Sequence, residues 1–334
     1  MPFDDDDLDA LLQRGDPAHT RLDAPLTMAQ LAARDRITAT DTTAVRRHPR
    51  RPLLWGILVP VTAIAVVALF VITNMTAAPR ASALTPPPLT FTATGQTPKD
   101  VLTMAEHTLT RSPSPTSAVR YSQSTGWYAQ LAANENNEIT SATIAPQITT
   151  LEWAADLSGH LRVIAGTPYW ADGATNAIPA RTAPTPGTVI LDTTFTAGGV
   201  TAPTTNPPGE SVEEMRTWLT EFGLPSGADA ADLIGTINQV LSYWTLTNEQ
   251  HALLLQILLD RDDITVLGMG KDRAGRPVTG IAADSHRSPG SRELLLISAS
   301  TGRIIANETM RTTKAGALPA GSVTSYTLWG LPKQ

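Results

Sequence analysis

Six histidines, no cysteine and a cluster of three aspartates limit the chemistry this sequence can carry. The histidines are His19, His48, His107, His160, His251 and His286. None forms H-E-x-x-H or a histidine pair at helical spacing, so no metal ligand set is expected. With no Cys in the chain, disulfides, thiolate zinc sites and cysteine nucleophiles are excluded. Asp260, Asp262 and Asp263 sit at a predicted helix end, where a solvated turn explains them better than a catalytic carboxylate pair. Glu213 and Glu214 are accounted for by helix capping. There is no G-x-S-x-G, P-loop or G-x-G-x-x-G. Gly268 and Gly270 come nearest to a phosphate loop, but they lie inside a predicted strand with no third glycine at the required spacing. No catalytic, cofactor-binding or metal-binding residue is therefore assigned, no cofactor is expected, and the chain is not expected to be an enzyme.

The remaining candidates are aromatic. Trp127, Tyr128, Trp153, Tyr169 and Trp170 fall in and just after a β-rich stretch. In a half-open sheet they would line an apolar pocket for a lipid or a peptide side chain. Ordinary core packing is the competing reading.

The elements that must carry such a pocket are arranged around Leu53–Ile72, LLWGILVPVTAIAVVALFVI, twenty residues without a charge. At about 1.5 Å rise per residue such a helix spans roughly 30 Å, the hydrocarbon thickness of a bilayer. Arg46, Arg47, Arg50 and Arg51 precede it, and nothing comparable follows. The positive-inside rule then places the N-terminus in the cytoplasm and the rest outside. Ala81-Ser82-Ala83 resembles a signal-peptide cleavage site. The long polar lead-in and the length of the apolar run favour an uncleaved anchor.

The expected division is a cytoplasmic tail over 1–52, a transmembrane helix over 53–72, a Pro/Thr-rich linker over 73–97 and an extracytoplasmic domain over 98–334. The tail opens with the acidic run Asp4–Asp7. It holds two short amphipathic stretches, near Asp7–Arg14 and after Thr27, each too short to be a stable helix alone. It reads either as a disordered, solvated segment or as a docking peptide that folds on a cytoplasmic protein. The chain has a net charge of −6, and neither side of the anchor is basic enough for nucleic acid. Asn74-Met75-Thr76 and Asn307-Glu308-Thr309 match the glycosylation pattern by chance.

In the outer domain, a helix is predicted over 98–110, N-capped by Thr97 with Pro98 at its first position. Strands follow over 118–124, 127–132, 140–144, 148–155 and 161–165, with a turn at Asn134–Asn137 and a hairpin turn at Asp156–Gly159. Residues 166–210 read as loop, apart from a short strand at Val189–Asp192. Ser211, Asp229 and Thr247 cap three helices ending near Phe222, Trp244 and Asp260. Strands return over 264–270, 277–283, 292–298, 303–311 and 322–328. Segregated blocks of strands and helices predict an α+β fold: a curved, mostly antiparallel sheet with helices packed on one face, preceded by one transmembrane helix.

Three passages carry a resemblance: PKDVLTMAEHTL after the anchor, the block ending LTNEQHALLLQILLD, and DITVLGMGKDRAGRPVTGIAAD…RELLLISASTGRII. Together they resemble a family of uncharacterised, single-span actinobacterial proteins often encoded beside extracytoplasmic-function sigma factors. The outer domain of that family is similar to the lipoprotein-carrier (LolA-like) fold. The tail motif LDALLQRGDPA resembles tails of the same group. The family brings no catalytic residues. The resemblance implies a membrane-anchored sensing or regulatory binding protein linked to a sigma/anti-sigma system. The alternative is a carrier or scaffold for a hydrophobic ligand such as a lipid or lipoprotein. The partners expected are the lipid bilayer, a cytoplasmic protein at the tail and a hydrophobic ligand outside, with no nucleic acid.

Overall fold

The computed structural model describes residues 85–331, except 130, 134–138, 143–144, 168–183 and 317. The tail, the apolar run Leu53–Ile72, the linker up to residue 84, the turn at Asn134–Asn137, and Tyr169 and Trp170 lie outside the described residues. Among the described residues no helix is long and apolar enough to cross a membrane.

The domain is α+β, with a large antiparallel sheet and four helices. In chain order the elements are β1 (Phe91–Thr92), α1 (Pro98–Leu109), β2 (Tyr121–Tyr128), β3 (Leu131–Ala133), β4 (Ile139–Ala142), β5 (Gln147–Trp153), β6 (Gly159–Ala165) and β7 (Val189–Phe195). Then come α2 (Val212–Glu221), α3 (Ala230–Leu241), α4 (Asn248–Leu259), β8 (Thr265–Lys271), β9 (Pro277–Asp284), β10 (Ser291–Ser298), β11 (Ile304–Arg311) and β12 (Val323–Trp329). Ten strands form one sheet in the order β1-β8-β9-β10-β11-β12-β2-β5-β6-β7, and β3 pairs β4 apart from it. Every pairing is antiparallel. The late strands β8–β12 are inserted between β1 and the early meander, so the sheet closes long loops in sequence.

The helices begin where side chains can satisfy their orphan N–H groups. Thr97, Asp229 and Thr247 form reciprocal capping boxes with Asp100, Asp232 and Gln250. Ser211 caps α2 by accepting from the Glu214 N–H, while the Glu214 carboxylate reaches back one residue further, to the N–H of Glu210. The helices cover one face of the sheet. Leu102, Leu219, Leu233, Ile234, Ile237, Leu254 and Ile257 are fully buried against Ile281, Leu295 and Ile297 of β9 and β10. Each such side chain contributes about 1.5–3 kcal/mol.

Three expectations are revised. The strands expected at 118–124 and 127–132 include a single strand, β2, that runs straight through Gly126. A Cβ at Gly126 would stand 3.2 Å from the Tyr326 carbonyl oxygen on the neighbouring β12, so the glycine eases strand contact rather than marking a break. The strand expected at Val189–Asp192 extends to Phe195 and closes one edge of the sheet. Part of the expected linker belongs to the fold, because Phe91 and Thr92 form the opposite edge strand.

The β10–β11 turn is locked to α1. Gly302 has φ +74, and a Cβ there would run into the Ala105 carbonyl oxygen and stand 3.0 Å from the Leu109 nitrogen. Gly302→Ala is expected to lower unfolding stability by about 2 kcal/mol or more, because backbone strain and steric clash act together. Urea denaturation of the protein checks this, and a loss below about 0.5 kcal/mol, as for an ordinary surface change, contradicts it.

Candidate functional site

The face of the sheet opposite the helices has its own cover. Val278, Leu296, Ala306, Val323, Tyr326 and Leu328 form a second buried cluster there. Leu89, Phe91 and Leu331 pack against it. The cover is the extended segment Thr85–Thr92, TPPPLTFT, which we term the strap. Thr85 is only 1% exposed. The three prolines fix φ and favour an extended chain. Alternation then sends Leu89 and Phe91 to the sheet. The Phe91 ring lies over Gly270 and Gly280, where a Cβ would approach it to 2.8 and 2.6 Å. Any larger residue at either position would fill the place of the ring.

Beside the strap runs a groove of about 830 Å³, within the size range of small-molecule sites. Pro87, Leu89 and Phe91 of the strap line it together with Thr125, Leu328 and Lys271. Lys271 has no ion pair among the described residues. Met269, also lining it, is 51% exposed.

The groove is held by a buried charge pair. Arg273, on the β8–β9 turn, is paired with Glu308 of β11. Its Nη2 donates to Oε2 at 2.9 Å, and Nε lies 2.7 Å from Oε1 as an ion-pair contact outside hydrogen-bond geometry. The same Nη2 donates to the Pro87 carbonyl at 3.0 Å, and the guanidinium lies 4.8 Å from the Tyr326 ring centre. Tyr326 in turn stacks on Trp127 at 6.2 Å. Burial pushes the Glu308 carboxyl up, and Arg273 opposes that shift. A charge buried this deeply needs its partner, and removing one member of such a pair costs about 3–5 kcal/mol. Next to it, Asp272 accepts from the N–H groups of Ala274 and Arg276 and from the Arg276 guanidinium at 2.6 Å. Arg276 also donates to the carbonyls of Trp329 and Ile305. This clasps the DRAGR turn to the end of β12.

Of the aromatic candidates among the described residues, Trp127 and Trp153 lie on opposite faces of the sheet. Ser122 of β2 pairs with Leu151 of β5, and both face the helices. Trp153, two residues beyond Leu151, shares that face. Trp127, five residues beyond Ser122, takes the opposite face. Trp153 is buried, donates from Nε1 to the Tyr243 carbonyl at 2.9 Å and meets Trp244 edge-on. The Arg120 guanidinium lies 5.3 Å from the Trp153 ring and 4.8 Å from the Trp244 ring. Trp153 is thus part of the helix-side core, and Trp127 is part of the foundation beneath the groove. Tyr128 is 62% exposed. Tyr169 and Trp170 are outside the described residues.

The polar candidates set aside from the sequence have structural partners. Asp260 pairs with Arg216, and Asp263 accepts from the Ala230 N–H at 2.9 Å. His251 is buried. Its Nδ1 lies 3.4 Å from the Ile304 N–H, and burial, with Arg303 nearby, holds it well below the ordinary histidine range. It is a neutral member of a network in which Arg303 donates to Asn248 Oδ1 and to the Leu246 carbonyl. Asn307, of the chance glycosylation match, is 2% exposed.

Sequence reasoning missed the strap, the groove and two carboxylates, the buried Glu308 and the half-buried Glu293. The only signal for the strap was the Leu89–Phe91 alternation after the prolines. Glu293 lies on the helix-side face in a cross-strand row with Ala283, Thr309 and Ser325. Its Oε2 accepts from Thr309 Oγ1 at 3.0 Å and from Asn307 Nδ2 at 3.3 Å. Burial pushes its carboxyl up to about 7.

Comparison with family models, curated proteins and solved structures gives no match.

The Glu293 shift has a defined sign. In the unfolded chain its carboxyl titrates near about 4.3, and in the folded protein near about 7. Below the lower value both states hold the proton and there is no penalty. As pH rises the unfolded chain ionises first, so the folded state loses stability, fully above the higher value. Glu293→Gln is therefore expected to be more stable than the native protein at pH 8 by on the order of 2–3 kcal/mol, with the difference vanishing near pH 4. Urea unfolding across that pH range checks it, and a pH-independent difference contradicts it.

Proposed function

We propose that this chain is a membrane-anchored, extracytoplasmic sensing or regulatory binding protein without catalytic activity, and that the strap-side groove is its binding site. One observation carries the reading. The strap that walls the groove begins only twelve residues after the apolar run Leu53–Ile72. An extended chain of that length reaches at most about 40 Å. An anchor at residues 53–72 would therefore hold the groove within that distance of the bilayer, and the chain leaving the groove would be the chain that enters the membrane. The tail then provides a docking peptide for a cytoplasmic protein, in keeping with a sigma/anti-sigma system.

The helix-side core argues in the same direction. Its contact surface is filled by fully buried side chains, so a carrier holding a lipid between helices and sheet would have to unpack it. The groove itself supports a narrower form of the carrier reading, because its volume and apolar walls suit a small hydrophobic ligand.

Three measurements test these readings. Full-length protein is expected in the membrane fraction, and protein lacking residues 53–72 in the soluble fraction. An unchanged distribution rejects the anchor. Deletion of residues 1–45 in the native cell is expected to alter transcription of the genes it regulates while leaving membrane location intact, and an unchanged transcript profile ends the signalling reading. For the carrier reading, mass spectrometry of lipid extracts from the purified domain should find one bound hydrophobic molecule per chain, and an empty domain rejects it.

A further inference from the structure

The strap is a ligand-like segment seated in a built site. Phe91 fills a notch floored by two glycines, Gly270 and Gly280. At Gly268, with φ +104, any Cβ would run into the Thr92 carbonyl oxygen. Arg273 donates to the Pro87 carbonyl. The site is thus shaped for an extended chain with an aromatic at one position. Yet its hold on the strap is short. Only Phe91↔Gly270 and Thr92↔Met269 are paired in the ladder, and the three prolines can donate nothing to it. The strap also leaves about 830 Å³ open beside it. Directly after it, Thr92 to Gly95 are exposed, and Gly95 has φ +71 with open space around its α-carbon. This exposed glycine segment lies between the strap and the capped start of α1, where a change of backbone angle would meet no side-chain obstacle.

We propose that the outer edge of β8, with its glycine notch, is an exchange site, and that its occupant is the strap of a second copy of this chain. Two copies trade straps, each placing its Phe91 over Gly270 and Gly280 of the other. The identity of the occupant follows from self-complementarity: the site already accepts this sequence, and a second copy supplies the same contacts. Exchange by opening this one exposed segment is a low-cost route to a two-fold dimer. If both copies are anchored through residues 53–72, confinement in the membrane raises the local concentration of one strap at the other site. The exchange itself needs only the strap and β8, so it can fail or hold independently of the anchor reading.

The chain has no Cys, so introduced thiols are unambiguous. Thr92 and Met269 are direct partners and both exposed. Opposed strand residues have Cα atoms about 4.5–5.5 Å apart, inside the range a disulfide bridges. Full-length Thr92→Cys with one tag and full-length Met269→Cys with another are co-expressed, solubilised in detergent and oxidised. Exchange predicts a reducible dimer carrying both tags. Replacing Met269→Cys by Thr265→Cys moves the thiol roughly 13 Å along β8 and is expected to cut that dimer at least about tenfold, because disulfide geometry is strict. A single chain carrying both Thr92→Cys and Met269→Cys shows that the strap docks at all. The proposal is overturned if that chain closes on itself while the two single variants give no mixed dimer. It is equally overturned if the Thr265→Cys partner cross-links as well as the Met269→Cys partner.

Discussion

Two-sided burial of the central strands is the constraint on which the rest of this structure depends. In β10, Leu294, Leu295, Leu296 and Ile297 are all buried, with no alternation between apolar and polar. An antiparallel sheet usually leaves one face to water, and continuous apolar runs signal cover on both. One helical layer can protect only one face. The second must be covered by something else, and here that cover is the eight-residue strap together with Leu331, which follows β12. The helices, by contrast, are over-determined. Four N-caps and a dense set of fully buried aliphatic side chains hold them to β9 and β10. The thin cover is therefore where the fold has room for a ligand or for rearrangement.

That asymmetry explains where charge is tolerated inside. On the strap side, Glu308 is almost fully enclosed but meets Arg273, which also grips Pro87 and stacks on Tyr326. One guanidinium neutralises the carboxylate and ties the strap to the sheet. On the helix side, the donors to Glu293 among the described residues are Thr309 and Asn307, and burial raises its proton affinity against their pull. The pairing of the first and the isolation of the second follow from their positions. Arg273 sits on a turn whose geometry Asp272 fixes, so a long cation can reach inward there, whereas the described partners of Glu293 are neutral side chains.

Much of the fold was legible because its signals are local. Thr97, Ser211, Asp229 and Thr247 each announce a helix by a short-range hydrogen-bonding pattern, and the turns after Asp156 and Asp272 do the same for hairpins. The strap was not legible, because three prolines before an alternating Leu-Thr-Phe read equally well as tether or edge strand. What decides between them is the glycine pair at Gly270 and Gly280, some 180 residues later, and no local pattern links the two. Trp127 and Trp153 are separated for a related reason. Both lie on strands of one sheet, but their strand parity, set by the Ser122–Leu151 pairing, sends them to opposite faces. Parity across strands depends on register, and register is a tertiary fact.

The same distribution bears on what the groove can report. The strap is at once a wall of the groove, the edge strand of β8 and the segment joined to the upstream apolar run. Any molecule that gains contacts in the groove must bind differently to docked and undocked straps, since Pro87, Leu89 and Phe91 are among its neighbours. A difference in affinity between two states is all that is required for binding to shift their populations. On the helix side, Leu233, Ile237, Leu254 and their neighbours are fully buried, and a close-packed core does not yield gradually. A change in the groove therefore has its shortest physical route to the strap through Phe91 and the two glycines beneath it.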